Sequence, residues 1–189
     1  MILRGNEDLR VVKTIEGIKG AFEELICEKD YEKITVKELC DRARINKKTF
    51  YTYYETLDAL LAEMQVELSA GFLERVKGYS LPEELDKVNR EFFLFSSEQG
   101  LAYEKITCGG TYRAIRDEMT DQVNDESWRK SKEYQKLTFY EKRILMEFIN
   151  NTTLTSYRLW VEDGKKMPLE DVITMTNRIV LGGVNGFFK

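Results

Sequence analysis

No histidine occurs among the 189 residues of this chain. That removes the side chain most often used as a general base near neutral pH and the nitrogen ligand of mixed cysteine–histidine zinc sites. Cysteine is scarce as well: Cys27, Cys40 and Cys108 are odd in number, widely spaced and contain no C-x-x-C pair. They read as small buried side chains in a reducing compartment, not as a disulfide framework. Two prolines alone, Pro82 and Pro168, interrupt the chain, which leaves long stretches free to be helix. No apolar run approaches the length of a bilayer span, so no membrane partner is expected and the expected location is cytoplasmic. Glycine-rich phosphate loops and G-x-S-x-G are both missing. Carboxylate pairs such as Glu83-Glu84 and Asp117-Glu118 fall on faces that read as solvated. No catalytic residue, metal ligand or cofactor is therefore expected, and the chain is not read as an enzyme.

What is present is helical periodicity. Hydrophobic residues make up 42% of the chain and charged residues 33%, a balance that gives an apolar core under a charged surface. Val11, Ile15, Ile18, Phe22 and Leu25 recur at helical spacing and predict an amphipathic helix over 9–28, after a mobile arm at 1–8. Thr35 and Glu38 have the spacing of a capping box that opens a second helix running to Ala43. Arg44-Ile45-Asn46 is the turn, and Asn46 caps a third helix at about 47–53. Thr56 caps a fourth, with Leu57, Leu60, Leu61, Met64, Leu68, Phe72 and Val76 as its stripe. Ser80 with Glu83 predicts another helix start after GYSLP. The segment 111–136 is polar and ambiguous, read as two short helices. Thr138 and Glu141 open a long helix that ends near Gly164, DGKKMP (163–168) is a loop, and the last helix covers about 169–186. Few segments alternate with period two, so the fold class is all-α.

Residues 34–61, ITVKELCDRARINKKTFYTYYETLDALL, carry the functional signal. Val36, Leu39, Cys40 and Ala43 share one face of the second helix, and Phe50 and Tyr54 anchor the third on that face. Lys47, Lys48, Thr49, Tyr51, Thr52 and Tyr53 are left for its outer side. Between residues 42 and 54 stand Arg42, Arg44, Lys47 and Lys48 and no acidic side chain, although the whole chain has net charge −4. A local cationic helix–turn–helix on an acidic chain suits a reader of double-stranded DNA better than an indiscriminate nucleic-acid coat. Lys47 and Lys48 suit guanine O6 and N7 or phosphate, and Thr49 and Tyr51 suit hydroxyl contacts or a thymine methyl. Tyr53 and Arg44 suit phosphate, as does Thr35 at a helix N-terminus. The capping Asn46 and Thr52 complete this expected DNA-binding set.

The same stretch resembles the N-terminal domain of the TetR family of bacterial transcriptional regulators. Thr35, Val36, Leu39, Ala43, Ile45, Thr49, Phe50, Tyr51, Tyr53, Tyr54, Leu60 and Leu61 carry the likeness. It departs from the family pattern at Arg44, where glycine is usual, at Asn46, where serine is common, and at Leu57, where a phosphate-contacting lysine often stands. The segment YRLWVEDGKKMPLEDVI (157–173) is similar to the C-terminal part of one subgroup. The resemblance implies a helix–turn–helix DNA-binding domain over 1–55 and a larger helical effector-binding and dimerisation domain over 56–189. It further implies a homodimeric repressor released from a palindromic operator by a small-molecule or protein effector. The alternative is a TetR-like activator, or a helical interaction module controlled by a partner protein. Phe92, Phe95, Tyr103, Tyr112 and Trp128 are the aromatic candidates for an effector pocket, against a reading as plain core. The dimer is expected through the last two long helices, with Thr152, Ser156, Leu159, Trp160, Thr176, Ile179 and Gly183 as candidates. Packing within one subunit is the alternative for these small residues.

Overall fold

Apolar side chains three and four apart must share one helical face, and in the computed structural model they do. The structure describes residues 8–109, 123–124 and 127–188. The first helix, α1 (Leu9–Glu28), is capped by Asp8 and buries Ile15, Ile18, Phe22 and Leu25. A single 3-10 turn, Tyr31–Lys33, leads into α2 (Val36–Ala43) and α3 (Lys47–Tyr53). Next comes α4 (Leu57–Val76), whose start is capped by the Thr56 hydroxyl accepting from Ala59 N–H at 3.0 Å. There follow α5 (Leu85–Glu98), α6 (Leu101–Cys108), α7 (Lys132–Lys136), α8 (Phe139–Glu162) and α9 (Leu169–Phe187). No strand occurs among the described residues, and none of their helices is long and apolar enough to cross a membrane.

The chain divides into two compact units at Leu68/Ser69, inside α4 and later than the residue 55 boundary expected from sequence. Side chains of the first turns of α4 explain the shift. Leu60, Leu61 and Met64 are buried, Asp58 accepts a hydrogen bond from Tyr31, and Glu63 and Glu67 pair with Lys19 of α1 at 3.3 and 2.5 Å. These contacts tie the start of α4 to the first unit.

The second unit is built on α5, α8 and α9. One apolar cluster gathers Leu81, Leu85, Trp128, Tyr134, Leu145, Ile149, Val180 and Val184. Across the same three helices runs a polar chain, buried at Asn89 and Thr153 and half-buried at Asn177. Thr153 donates to Asn89 Oδ1 at 2.8 Å, Asn89 Nδ2 to Asn177 Oδ1 at 2.7 Å, and Asn177 Nδ2 to the Asp86 carbonyl at 3.2 Å. Each of these donors meets an acceptor, as burial away from water demands. The turn from α8 to α9 closes with Gly164 at φ 71°. Its N–H bonds the Val161 carbonyl at 3.0 Å, and Lys165 N–H bonds that of Trp160 at 2.8 Å, the double bond of a Schellman stop.

The expected capping box at Ser80 and Glu83 is displaced. Ser80 N–H donates instead to Glu84 Oε2 at 2.8 Å, and α5 opens at Leu85. Turns over 81–84 allow both Leu81 and Leu85 to reach the core. Of the ambiguous stretch 111–136, the described part contains α7; residues 110–122 and 125–126 lie outside the described residues.

Candidate nucleic-acid interface

The local order of α2, turn and α3 follows from three short-range devices. Thr35 and Glu38 form the expected reciprocal box: Glu38 N–H donates to Thr35 Oγ1 at 3.2 Å, and Thr35 N–H donates to Glu38 Oε2 at 3.2 Å. Arg44 ends α2 in the left-handed region, φ 55° and ψ 42°, the conformation for which glycine is preferred. Asn46 Oδ1 then accepts from Thr49 N–H at 2.8 Å and caps α3. With seven residues, α3 is too short to hold itself together. Phe50 and Tyr54, fully and nearly fully buried, brace it from behind with rings 5.9 Å apart.

The opposite side of α3 is open. Lys47, Lys48, Tyr51 and Thr52 are exposed, while Thr49 and Tyr53 are half-buried. The Tyr51 ring stands edge-on to Phe50 at 5.4 Å, which steadies it while its outer side stays in solvent. Among the described residues Arg44, Lys47 and Lys48 form no ion pair with a carboxylate. Arg42 differs. Its guanidinium is gripped in a fork by Glu28 at 2.5 and 2.8 Å, with Glu24 3.5 Å away. That fork also holds the Glu28 carboxyl below the usual range. The cationic cluster read from the sequence therefore has three unneutralised members, not four, because the counter-charge on Arg42 arrives from α1.

Several hydroxyls expected to reach DNA are already engaged. Thr35 Oγ1 donates to Glu38 Oε2 at 3.0 Å, and the Lys29 ammonium, 2.7 Å from Glu38, holds that carboxylate charged, with Thr35 adding to the effect. A phosphate would have to displace this arrangement to bind Thr35. Thr49 Oγ1 donates to Asn46 at 3.1 Å and Thr52 Oγ1 to the Lys48 carbonyl at 2.9 Å. Both keep lone pairs and methyl groups to offer, but not a free proton. The side chains with uncommitted outward chemistry are thus Arg44, Lys47, Lys48 and Tyr51, with the half-buried Tyr53 beside them.

Behind α3 lies a charged group that sequence reasoning missed. Tyr54 Oη donates to Glu63 Oε1 at 2.9 Å, and Lys19 Nζ stands 3.3 Å from the same carboxylate. Glu63 sits inside the apolar stripe of α4, 44 positions from Lys19, so no local spacing signals the pair. Burial, with Glu67 adding to it, pushes the Tyr54 phenol up to about 12.

In the second unit the effector candidates separate. Phe92, Phe95 and Tyr103 join one aromatic cluster with Phe72, Phe93 and Tyr157. Trp128 belongs to the other core, stacked on Phe188 and tilted against Tyr134. Tyr112 lies outside the described residues. The dimer candidates divide as well. Leu159 and Ile179 are exposed at 58% and 56%, and Thr152 and Ser156 are half-buried. Trp160 and Thr176 are spent inside the protomer: the Trp160 indole donates to the Met167 carbonyl at 2.8 Å, and the Thr176 hydroxyl to that of Val172 at 2.8 Å. Gly183 faces Phe148, whose ring atoms would lie 2.5 Å from any Cβ placed there. Its small size therefore serves helix packing within the protomer.

A cationic, rigidly braced helix–turn–helix preceding a larger helical unit defines a helix–turn–helix protein of two all-α parts. Residues 19–64 match the model of the bacterial regulatory proteins of the tetR family. YxbF, an HTH-type transcriptional regulator of Bacillus subtilis (strain 168), is 32% identical over 96 residues, 50% of this chain and 23% of YxbF. The match thus spans under a quarter of that relative. The fold is that of a TetR transcriptional regulator from Streptococcus agalactiae 2603V, with TM-score 0.67 and 19% identity over 90% of this chain and 95% of that one. It is also similar to the transcriptional regulator FadR from Bacillus subtilis in complex with stearoyl-CoA, with TM-score 0.59 and 17% identity over 87% of this chain and 95% of that one.

Proposed function

We propose that this protein is a sequence-specific DNA-binding transcriptional regulator acting as a homodimer, a repressor released from a palindromic operator by an effector bound in the second unit. One observation carries the reading. Arg44, Lys47 and Lys48 surround the start of α3 without carboxylate partners among the described residues, beside an exposed Tyr51. Three uncompensated cations on one short helix and its turn raise the local potential on a chain of net charge −4. A polyanion with a groove wide enough for a helix is the partner that such a surface fits.

Exposed Leu159 and Ile179 on the last two helices support a homodimer, since apolar side chains in water favour a partner surface. Two copies would present two α3 helices to successive major grooves, so the operator would be a near-palindrome. An effector would release DNA by binding better to the geometry in which those helices are wrongly spaced. The stearoyl-CoA of the Bacillus subtilis FadR makes acyl-CoA thioesters the first class to titrate against a DNA complex.

The test is selection of duplexes from a randomised pool, then mobility shift of the selected sequence at several salt concentrations. With three cations per protomer, the log–log slope of affinity against salt should be about −5 for a dimer. Lys48→Ala should cost about tenfold or more and flatten the slope, and Tyr51→Ala should relax sequence preference without lowering the melting temperature. A flat salt profile, or failure to enrich any sequence, overturns the proposal.

A further inference from the structure

We propose that Tyr54, Glu63 and Lys19 are positioning residues for DNA reading: their buried bonds fix the C-terminal end of α3 against α1 and α4, and sequence discrimination depends on them although none touches DNA. The inference rests on the DNA-binding reading above. Its observations are separate from the cationic surface that carries that reading.

The N-terminal end of α3 is held by its Asn46 cap. Its middle is held by Phe50, which is fully buried. Apolar burial is non-directional, so a small slide or rotation of the helix costs little of it. A hydrogen bond is directional, and rotation breaks it. Tyr54 ends α3 with its backbone N–H on the Phe50 carbonyl at 3.0 Å and its hydroxyl on Glu63 at 2.9 Å. Glu63 in turn is anchored by Lys19 of α1 at 3.3 Å, and that ammonium also reaches Glu67 one helical turn further along α4, at 2.5 Å. Three helices therefore converge on one buried carboxylate.

Stability gives no reason to place a charge there. A buried ion pair loses most of its attraction to desolvation, and well-packed apolar side chains commonly replace it at no cost. Such groups earn their place when they select one arrangement among several that pack equally well. Here the arrangement selected is the rotation and height of the helix whose outer face carries Lys47, Lys48 and Tyr51.

The full-length chain tests this with the duplex selected by the wild type and a scrambled duplex of equal length. Lys19→Met/Glu63→Met should melt at or above the wild-type temperature, yet lose roughly tenfold of its preference for the selected duplex. Binding to the scrambled duplex and its salt dependence should be unchanged. Tyr54→Phe, which removes one oxygen, should move discrimination the same way. Glu63→Gln, which keeps an acceptor for Tyr54, should recover most of it. A merely structural role would make discrimination follow the melting temperature. Full discrimination in Tyr54→Phe, with wild-type binding intact, overturns the positioning role alone and leaves DNA reading standing. Should the double variant fail to fold, Tyr54→Phe decides by itself. A wild type that prefers no duplex removes both.

Discussion

Arg44 stands in a left-handed backbone region that side chains resist and for which glycine is preferred. A non-glycine residue there loses about 1 kcal/mol to contact between Cβ and the following carbonyl. The side chain at that position is exposed and its guanidinium has no carboxylate partner among the described residues. Strain kept beside an uncompensated cation is consistent with a gain in phosphate contact. Arg44→Gly should therefore raise stability to denaturant by up to about 1 kcal/mol and weaken DNA binding in the same molecule. A second residue-scale prediction concerns Tyr54. Burial raises its phenol to about 12, above the ordinary value near 10. The unfolded chain therefore releases this proton first. The stability linked to it is complete below pH 10 and is lost as pH rises through 12. Burial also raises Tyr103 and Tyr157, so alkaline destabilisation should be steep in the wild type. In Tyr54→Phe it should be shallower but still present, as read by melting temperature against pH.

At the scale of elements, the two glycines of α9 make opposite predictions. A Cβ at Gly182 meets nothing within 4 Å, whereas one at Gly183 would lie 2.5 Å from the Phe148 ring. Gly182→Ala should gain up to about 1 kcal/mol from helix propensity. In Gly183→Ala the gain should be offset by displacement of Phe148, and Phe148→Leu should restore it. Chemical denaturation of the protomer reads both. Helix limits were the most legible part of the sequence, because caps and apolar spacing act locally. The start of α3 after Asn46 and the box at Thr35 and Glu38 appear as read. What escaped depends on partners distant in sequence. Arg42 reads as a free cation until Glu28 of α1 is seen to grip it. Trp160 and Thr176 read as interface until their bonds inside the protomer are seen. Glu63 gave no signal at all, since a carboxylate in an apolar stripe looks like a solvated position. Ser80 shows a smaller failure: Glu83 and Glu84 follow it by three and four residues, and spacing alone did not select Glu84, which takes its N–H.

For the molecule as a whole, assembly is the property on which the proposed function turns. Ile179 is 56% exposed and Leu159 58% exposed, on the two last helices. If these side chains meet a second copy, Ile179→Glu buries a charge at that contact, and it should convert a dimer to monomers by sedimentation. The helical signal should be unchanged, and DNA binding should weaken far more than for a surface substitution elsewhere. An unaltered mass would exclude this face. The linked side chains of Asn89, Thr153 and Asn177 bear on what such a dimer can do. Sliding α5, α8 or α9 by one turn would strand the buried Asn89 amide and Thr153 hydroxyl without their partners, each at a cost of about 1–3 kcal/mol. Screw-like displacement of these helices past one another is therefore closed to the second unit, and a ligand lodged there would have to act by tilting the three as a block.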